Sequence, residues 1–119
     1  MRRVLIVDDS ISVARQLEKI LTGSGEFQPC GHARNGLEAL KMHQTEKPHL
    51  ILMDMNMPMM DGLTTLRNLM ALDPEAKVVM VTSLGGVGDK YTQALKFGAR
   101  SVISKPFEAE NVLQALRDL

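Results

Sequence analysis

The sequence predicts an α/β domain with a doubly wound parallel sheet of five strands and helices on both faces. Three observations predict it. Four short apolar runs, "VLIV" (4–7), "LILM" (50–53), "VVMV" (78–81) and "SVIS" (101–104), are continuous, as in strands buried on both faces. Stretches of helical spacing separate the runs. The runs also end, one after another, in polar or charged residues.

The first strand is "VLIV", and the helix after it carries Val13, Leu17, Ile20 and Leu21 on one face. A weaker strand, "FQPCGHA" (27–33), contains Pro29. Proline cannot donate to a ladder, so this strand is expected at a sheet edge. A weaker helix covers residues 36–45. "LILM" is the third strand; "DG" at 61–62 reads as a turn, and Leu63, Leu66 and Met70 mark the helix beyond it. "VVMV" is followed by a helix with Val87, Tyr91, Ala94 and Leu95, which Gly98 closes as a C-terminal cap. "SVIS" precedes the last helix, with Ala109, Val112, Leu113 and Leu116. Five successive βα units imply a parallel sheet.

The length of 119 residues suits one domain, 1–119, and 45% apolar residues suit a folded core. Fourteen basic residues balance fourteen acidic ones, so no basic excess points to nucleic acid or an anionic membrane. Cys30 is the only cysteine, which rules out an intrachain disulfide and a cysteine-rich zinc site. The apolar run after "MRR" stops at Asp8, too short for a signal-peptide core, and no stretch is long enough for a membrane span. A soluble, cytoplasmic monomer is expected.

In a parallel sheet the strand ends share one edge, the carboxyl edge, where open α/β sheets bind ligands. The first strand ends in Asp8 and Asp9, the third in Asp54, the fourth in Thr82 and Ser83, the fifth in Ser104 and Lys105. Three clustered carboxylates raise one another's proton affinity unless a cation intervenes. Oxygen ligands select a hard ion, Mg²⁺ or Mn²⁺. Lys105 and a hydroxyl could then bind oxygens of an anion held by the same metal, a phosphoryl clamp beside a carboxylate able to form an acyl phosphate. Polar strand ends that merely meet solvent account for one such residue, but poorly for all of them at one edge.

"VLIVDDS", "MDMNMPMMDG", "VVMVTS" and "SKPF" resemble, in order and spacing, the four motif blocks of the response-regulator receiver domain. The resemblance covers essentially the whole chain and is closest to single-domain chemotaxis regulators of the CheY type. It implies the strand order 2-1-3-4-5. It also implies that Asp54 accepts a phosphoryl group from a histidine kinase, that Thr82 hydrogen-bonds the group and that Lys105 pairs with one of its oxygens. Asp8, Asp9, Asp54 and the backbone carbonyl of Asn56 would be the Mg²⁺ ligands, and the Lys105–Pro106 bond would be cis. The position three before Lys105, an aromatic switch residue in the family, is Val102, which has no ring to swing. Propagation is then expected to rest on the loop "SLGGVGD" and the fourth helix. Family analogy places the output surface on the fourth helix, fifth strand and fifth helix, with Lys90, Tyr91, Lys96 and Val102 as candidates. The residues two beyond the phosphoacceptor and two beyond the threonine, Asn56 and Leu84, tune hydrolysis in the family. An apolar Leu84 cannot orient water, so a long-lived phosphoryl state is expected.

The chain ends at Leu119 with the fifth helix, so an output partner such as a flagellar-motor switch component is expected to be a separate protein. The alternative is the receiver piece of a longer regulator. A Mg²⁺-dependent phosphatase of the haloacid-dehalogenase type would need D-x-D after the first strand, where the chain has Asp8-Asp9-Ser10. A flavodoxin-like site would have an anion where those two carboxylates stand.

The five methionines of residues 50–62 could be a Cu(I) site, but such stretches more often fill cores. Met53 is expected in the core and Met55, Met59 and Met60 at the rim. His32, His43 and His49 lack zinc spacing and are read as solvated or strand-lining, and Glu108, Glu110, Arg117 and Asp118 as a solvated helix face.

Overall fold

The computed structural model describes residues 1–83 and 89–119, the side chains of Asp89 and Lys90 excepted. Its strands are β1 (Arg2–Val7), β2 (Phe27–Ala33), β3 (Leu50–Asp54), β4 (Val78–Thr82) and β5 (Ser101–Ser104). The helices that alternate with them are α1 (Ile11–Ser24), α2 (Gly36–Glu46), α3 (Gly62–Leu72), α4 (Asp89–Lys96) and α5 (Ala109–Arg117). All four strand pairings are parallel, and the sheet order is β2-β1-β3-β4-β5, as expected.

The continuous apolar runs have a two-sided explanation. Successive side chains of a strand point to opposite faces. Val4, Ile6, Leu50, Leu52, Val79 and Val81 face one way, against Leu17 and Leu21 of α1 and Val112, Leu113 and Leu116 of α5. Leu5, Val7, Ile51, Met53, Val78 and Met80 face the other way, against Ala39 of α2, Leu66 and Leu69 of α3 and Ala94 of α4. Burying each such large side chain contributes about 1.5–3 kcal/mol. Every position of β3 and β4 therefore selects an apolar residue up to the carboxyl edge, where the buried Asp54 and Thr82 end the two strands.

Pro29 lies on an edge strand, and the ladder slips just beyond it: Val4 pairs with Pro29 but Leu5 with Gly31, which leaves Cys30 as an extra residue. That bulge explains why β2 reads weakly in the sequence. Gly98 adopts φ 113° after α4. The N–H of Ala99 donates to Ala94 at 2.9 Å and that of Gly98 to Leu95 at 3.2 Å, closing the helix as a Schellman cap.

Some expectations are corrected. "DG" at 61–62 is a helix start: Asp61 caps α3 by accepting from the Thr64 N–H at 2.8 Å, and Gly62 is its first residue. Of the apolar face read for α4, only Ala94 is fully buried, while Tyr91 and Leu95 are exposed and Val87 lies outside the described residues. Met55 is buried, not at the rim, because it continues β3 by donating its N–H to Val81 at 2.9 Å. His43 is neither solvated nor on a strand. It is buried on α2, with Nε2 2.9 Å from Asp73 Oδ2.

Candidate functional site

The carboxyl edge of the sheet brings together residues far apart in sequence. Asp8, one residue past β1, is buried, and its N–H donates to Ala33 of β2 at 3.0 Å. Its Oδ1 accepts from the Ser10 N–H at 2.8 Å, a local turn that leads into α1. Ser10 then caps α1 by accepting from the Val13 N–H at 3.3 Å. Asp9 between them is exposed. Asp54, the last residue of β3, is buried, as is Thr82 at the end of β4.

One oxygen from each of Asp8, Asp9 and Asp54 lies within 4.8 Å of the others. Lys105 follows β5, and its N–H donates to Thr82 at 2.7 Å, a bond that ties the two strand ends together. Its Nζ is 3.5 Å from both Asp8 Oδ2 and Asp54 Oδ1, and the Lys105–Pro106 bond is cis. Asn56 donates its N–H to Asp54 Oδ1 at 3.3 Å, while its side-chain amide donates to Ser83 Oγ at 3.2 Å. Residue 56 thus stands at the same edge.

Burial pushes the Asp54 carboxyl above the usual carboxylate range, and the charge of Asp8 pushes it further; Lys105 and the Asn56 N–H pull it partly back. One ammonium does not balance three carboxylates. An all-oxygen donor set, crowded and with raised proton affinity at its centre, fits a hard divalent cation. The arrangement also places a carboxylate where it can act as a nucleophile beside a cationic side chain.

The output candidates are not part of this cluster. Tyr91 and Lys96 are exposed on α4, and Val102, on β5 opposite Met80, is half-buried. The Lys90 side chain, Leu84 and most of "SLGGVGD" lie outside the described residues. Three features escaped the sequence reading. Met59, in the loop after Asp54, is exposed as expected of a rim residue, but its φ of 71° was not foreseen. Gly62 sits against the Asp54 carbonyl oxygen, and a Cβ there would also meet Met55 Cα at 2.7 Å. His32 of β2 reaches the Asp8 carbonyl, 2.7 Å from its Nε2. Only the glycine left a signal, in the "DG" pair.

The family profile for the response regulator receiver domain matches residues 4–117. The chemotaxis protein CheY of Listeria monocytogenes is 42% identical over 116 residues, 98% of this chain and 96% of that one. A protein-glutamate methylesterase/protein-glutamine glutaminase of Bacillus licheniformis is 40% identical over the whole chain, which spans 34% of its length. Among solved structures, the CheX–CheY–BeF3–Mg²⁺ complex of Borrelia burgdorferi contains a chain that superposes with a TM-score of 0.93 at 35% identity, covering 98% of this chain and 87% of that one.

Proposed function

The chain belongs to the response-regulator receiver family, and from that premise we propose that it is a phosphorylation-controlled switch in chemotaxis signalling, with Asp54 as the phosphoacceptor. The observation that carries the proposal is the placement of Asp54: buried, with raised proton affinity, within 4.8 Å of two further carboxylates and 3.5 Å from Lys105. An Asp54 oxygen attacks the phosphorus of a kinase phosphohistidine; the P–O bond forms as the P–N bond breaks, and the imidazole leaves. Asp8, Asp9, Asp54 and the Asn56 carbonyl would hold Mg²⁺, which would supply positive charge to neutralise the transferring group. Lys105 pairs with an oxygen of the new acyl phosphate and the Thr82 hydroxyl hydrogen-bonds another. The phosphorylated form then binds a separate output protein through α4, β5 and α5, with Lys90, Tyr91, Lys96 and Val102 at that surface. The protein is not an enzyme in the ordinary sense; its chemistry is confined to its own phosphorylation and slow hydrolysis. A second reading, a receiver joined to a different output domain, is favoured by the full-length match to part of the methylesterase.

Incubation with Mg²⁺ and a small phosphodonor, followed by intact mass and hydroxylamine treatment, tests the chemistry. The expected result is one phosphoryl group that hydroxylamine removes and that Asp54→Ala does not acquire. An adduct of equal yield on Asp54→Ala sinks the assignment.

A further inference from the structure

We infer that His32 is a positioning residue for the acidic pair, holding the peptide that joins Asp8 to Asp9. This rests on the reading of Asp8 and Asp9 as Mg²⁺ ligands. The His32 Nε2 lies 2.7 Å from the Asp8 carbonyl oxygen. A carbonyl offers only lone pairs, so Nε2 carries the hydrogen and donates it. The contact completes the attachment of Asp8 to β2, since the Asp8 N–H already donates to Ala33 at 3.0 Å. In a continuing parallel ladder the Asp8 carbonyl would take the next backbone N–H of β2. The strand ends at Ala33, and the imidazole supplies the donor from one residue earlier.

The peptide group is planar, so the Asp8 carbonyl, the Asp9 nitrogen and the Asp9 Cα move together. Fixing that oxygen fixes where Asp9 stands. Asp9 needs such a hold more than its neighbours do. It is exposed, whereas Asp8 and Asp54 are buried and fixed by packing. Asp8 also has the Ser10 N–H on its own carboxylate at 2.8 Å. Residues that orient metal ligands from behind set affinity as well as geometry.

The test is Mg²⁺ titration by calorimetry on the full chain, with thermal midpoints in chelator as the structural control. His32→Phe keeps a ring and removes the donor, and His32→Gln places an amide N–H near the Nε2 position. His32→Phe is expected to weaken Mg²⁺ binding by about three- to tenfold, at or below the lower end for partners that touch a ligand atom directly. His32→Gln is expected to restore it to within about twofold, with both midpoints in chelator near that of the wild type. Unchanged affinity in His32→Phe overturns the inference. So does equal weakening in both variants, which would assign His32 a packing role only. A wild type that binds no Mg²⁺ overturns the metal reading itself, and this inference with it.

Discussion

Replacing Asp54 by asparagine is expected to stabilise the protein when divalent ions are chelated. Asparagine keeps the shape of the side chain and its acceptor for the Asn56 N–H, but removes the charge. Asp8 and Asp54 repel across no more than 4.8 Å, on the order of 3 kcal/mol at an effective dielectric constant of roughly 20. Lys105, 3.5 Å from Asp54, offsets that repulsion in full by the same measure. The cost of burying the Asp54 charge remains, in keeping with burial as the main cause of its raised proton affinity. A net gain of about 1–2 kcal/mol is expected. For 119 residues the unfolding entropy is about 250 cal/mol/K, so the midpoint should rise by about 4–8 °C.

Proton linkage gives the sign with pH. The folded protein binds a proton at Asp54 more tightly than the unfolded chain does. Relative to asparagine, the wild type is therefore equally stable below the ordinary aspartate value of 3.8 and loses stability as pH rises through the raised value. Mg²⁺ should then narrow the difference, since a ligand at ten times its Kd adds about 1.4 kcal/mol to the wild type and less to the variant. Differential scanning calorimetry at pH 7, with chelator and with Mg²⁺, measures both effects. A lower midpoint for Asp54→Asn in chelator, or equal Mg²⁺ shifts in the two proteins, refutes the electrostatic reasoning.

Gly62→Ala should cost about 2 kcal/mol or more in urea unfolding, because the new methyl meets the backbone of Asp54 and Met55 rather than a movable side chain. Met59→Gly should gain up to about 1 kcal/mol by relieving φ 71° at an exposed position, read from the same urea midpoints. Asp73→Ala should lose about 1–2 kcal/mol, since it leaves buried His43 without its partner and the Glu75 N–H without its acceptor at 3.1 Å. A phosphorylated wild type should persist far longer than the donor pulse; rapid decay on removal of the donor would contradict the role read for Leu84.

The strands were legible because a strand covered on both faces cannot hide its composition. The carboxyl edge was legible because parallel strands gather their ends, whatever the loops do. The illegible features depend on contacts between elements. Met55 looks like a rim residue until the ladder is seen to run one step past Asp54. Nothing near His32 in sequence names Asp8 as its acceptor. The pairing of His43 with Asp73 spans thirty positions from one helix to the end of another. Pro29 announced an edge, but not the extra residue at Cys30.

The two-sided burial of the central strands has a cost in specification. A strand with one wet face is held in register by that face, because a slip of one residue would turn its apolar side to water. β3 and β4 have no wet face, and a slip would exchange one set of aliphatic side chains for another. What forbids it is the abrupt polarity where the strands stop. A shift of one residue toward the amino end would draw Asp54 between apolar layers, at several kcal/mol for an unpaired carboxylate. The charges gathered at this edge therefore also act as stops that tell each strand where to halt, and a variant stripped of all of them should pair its strands less uniquely even if it folds more stably.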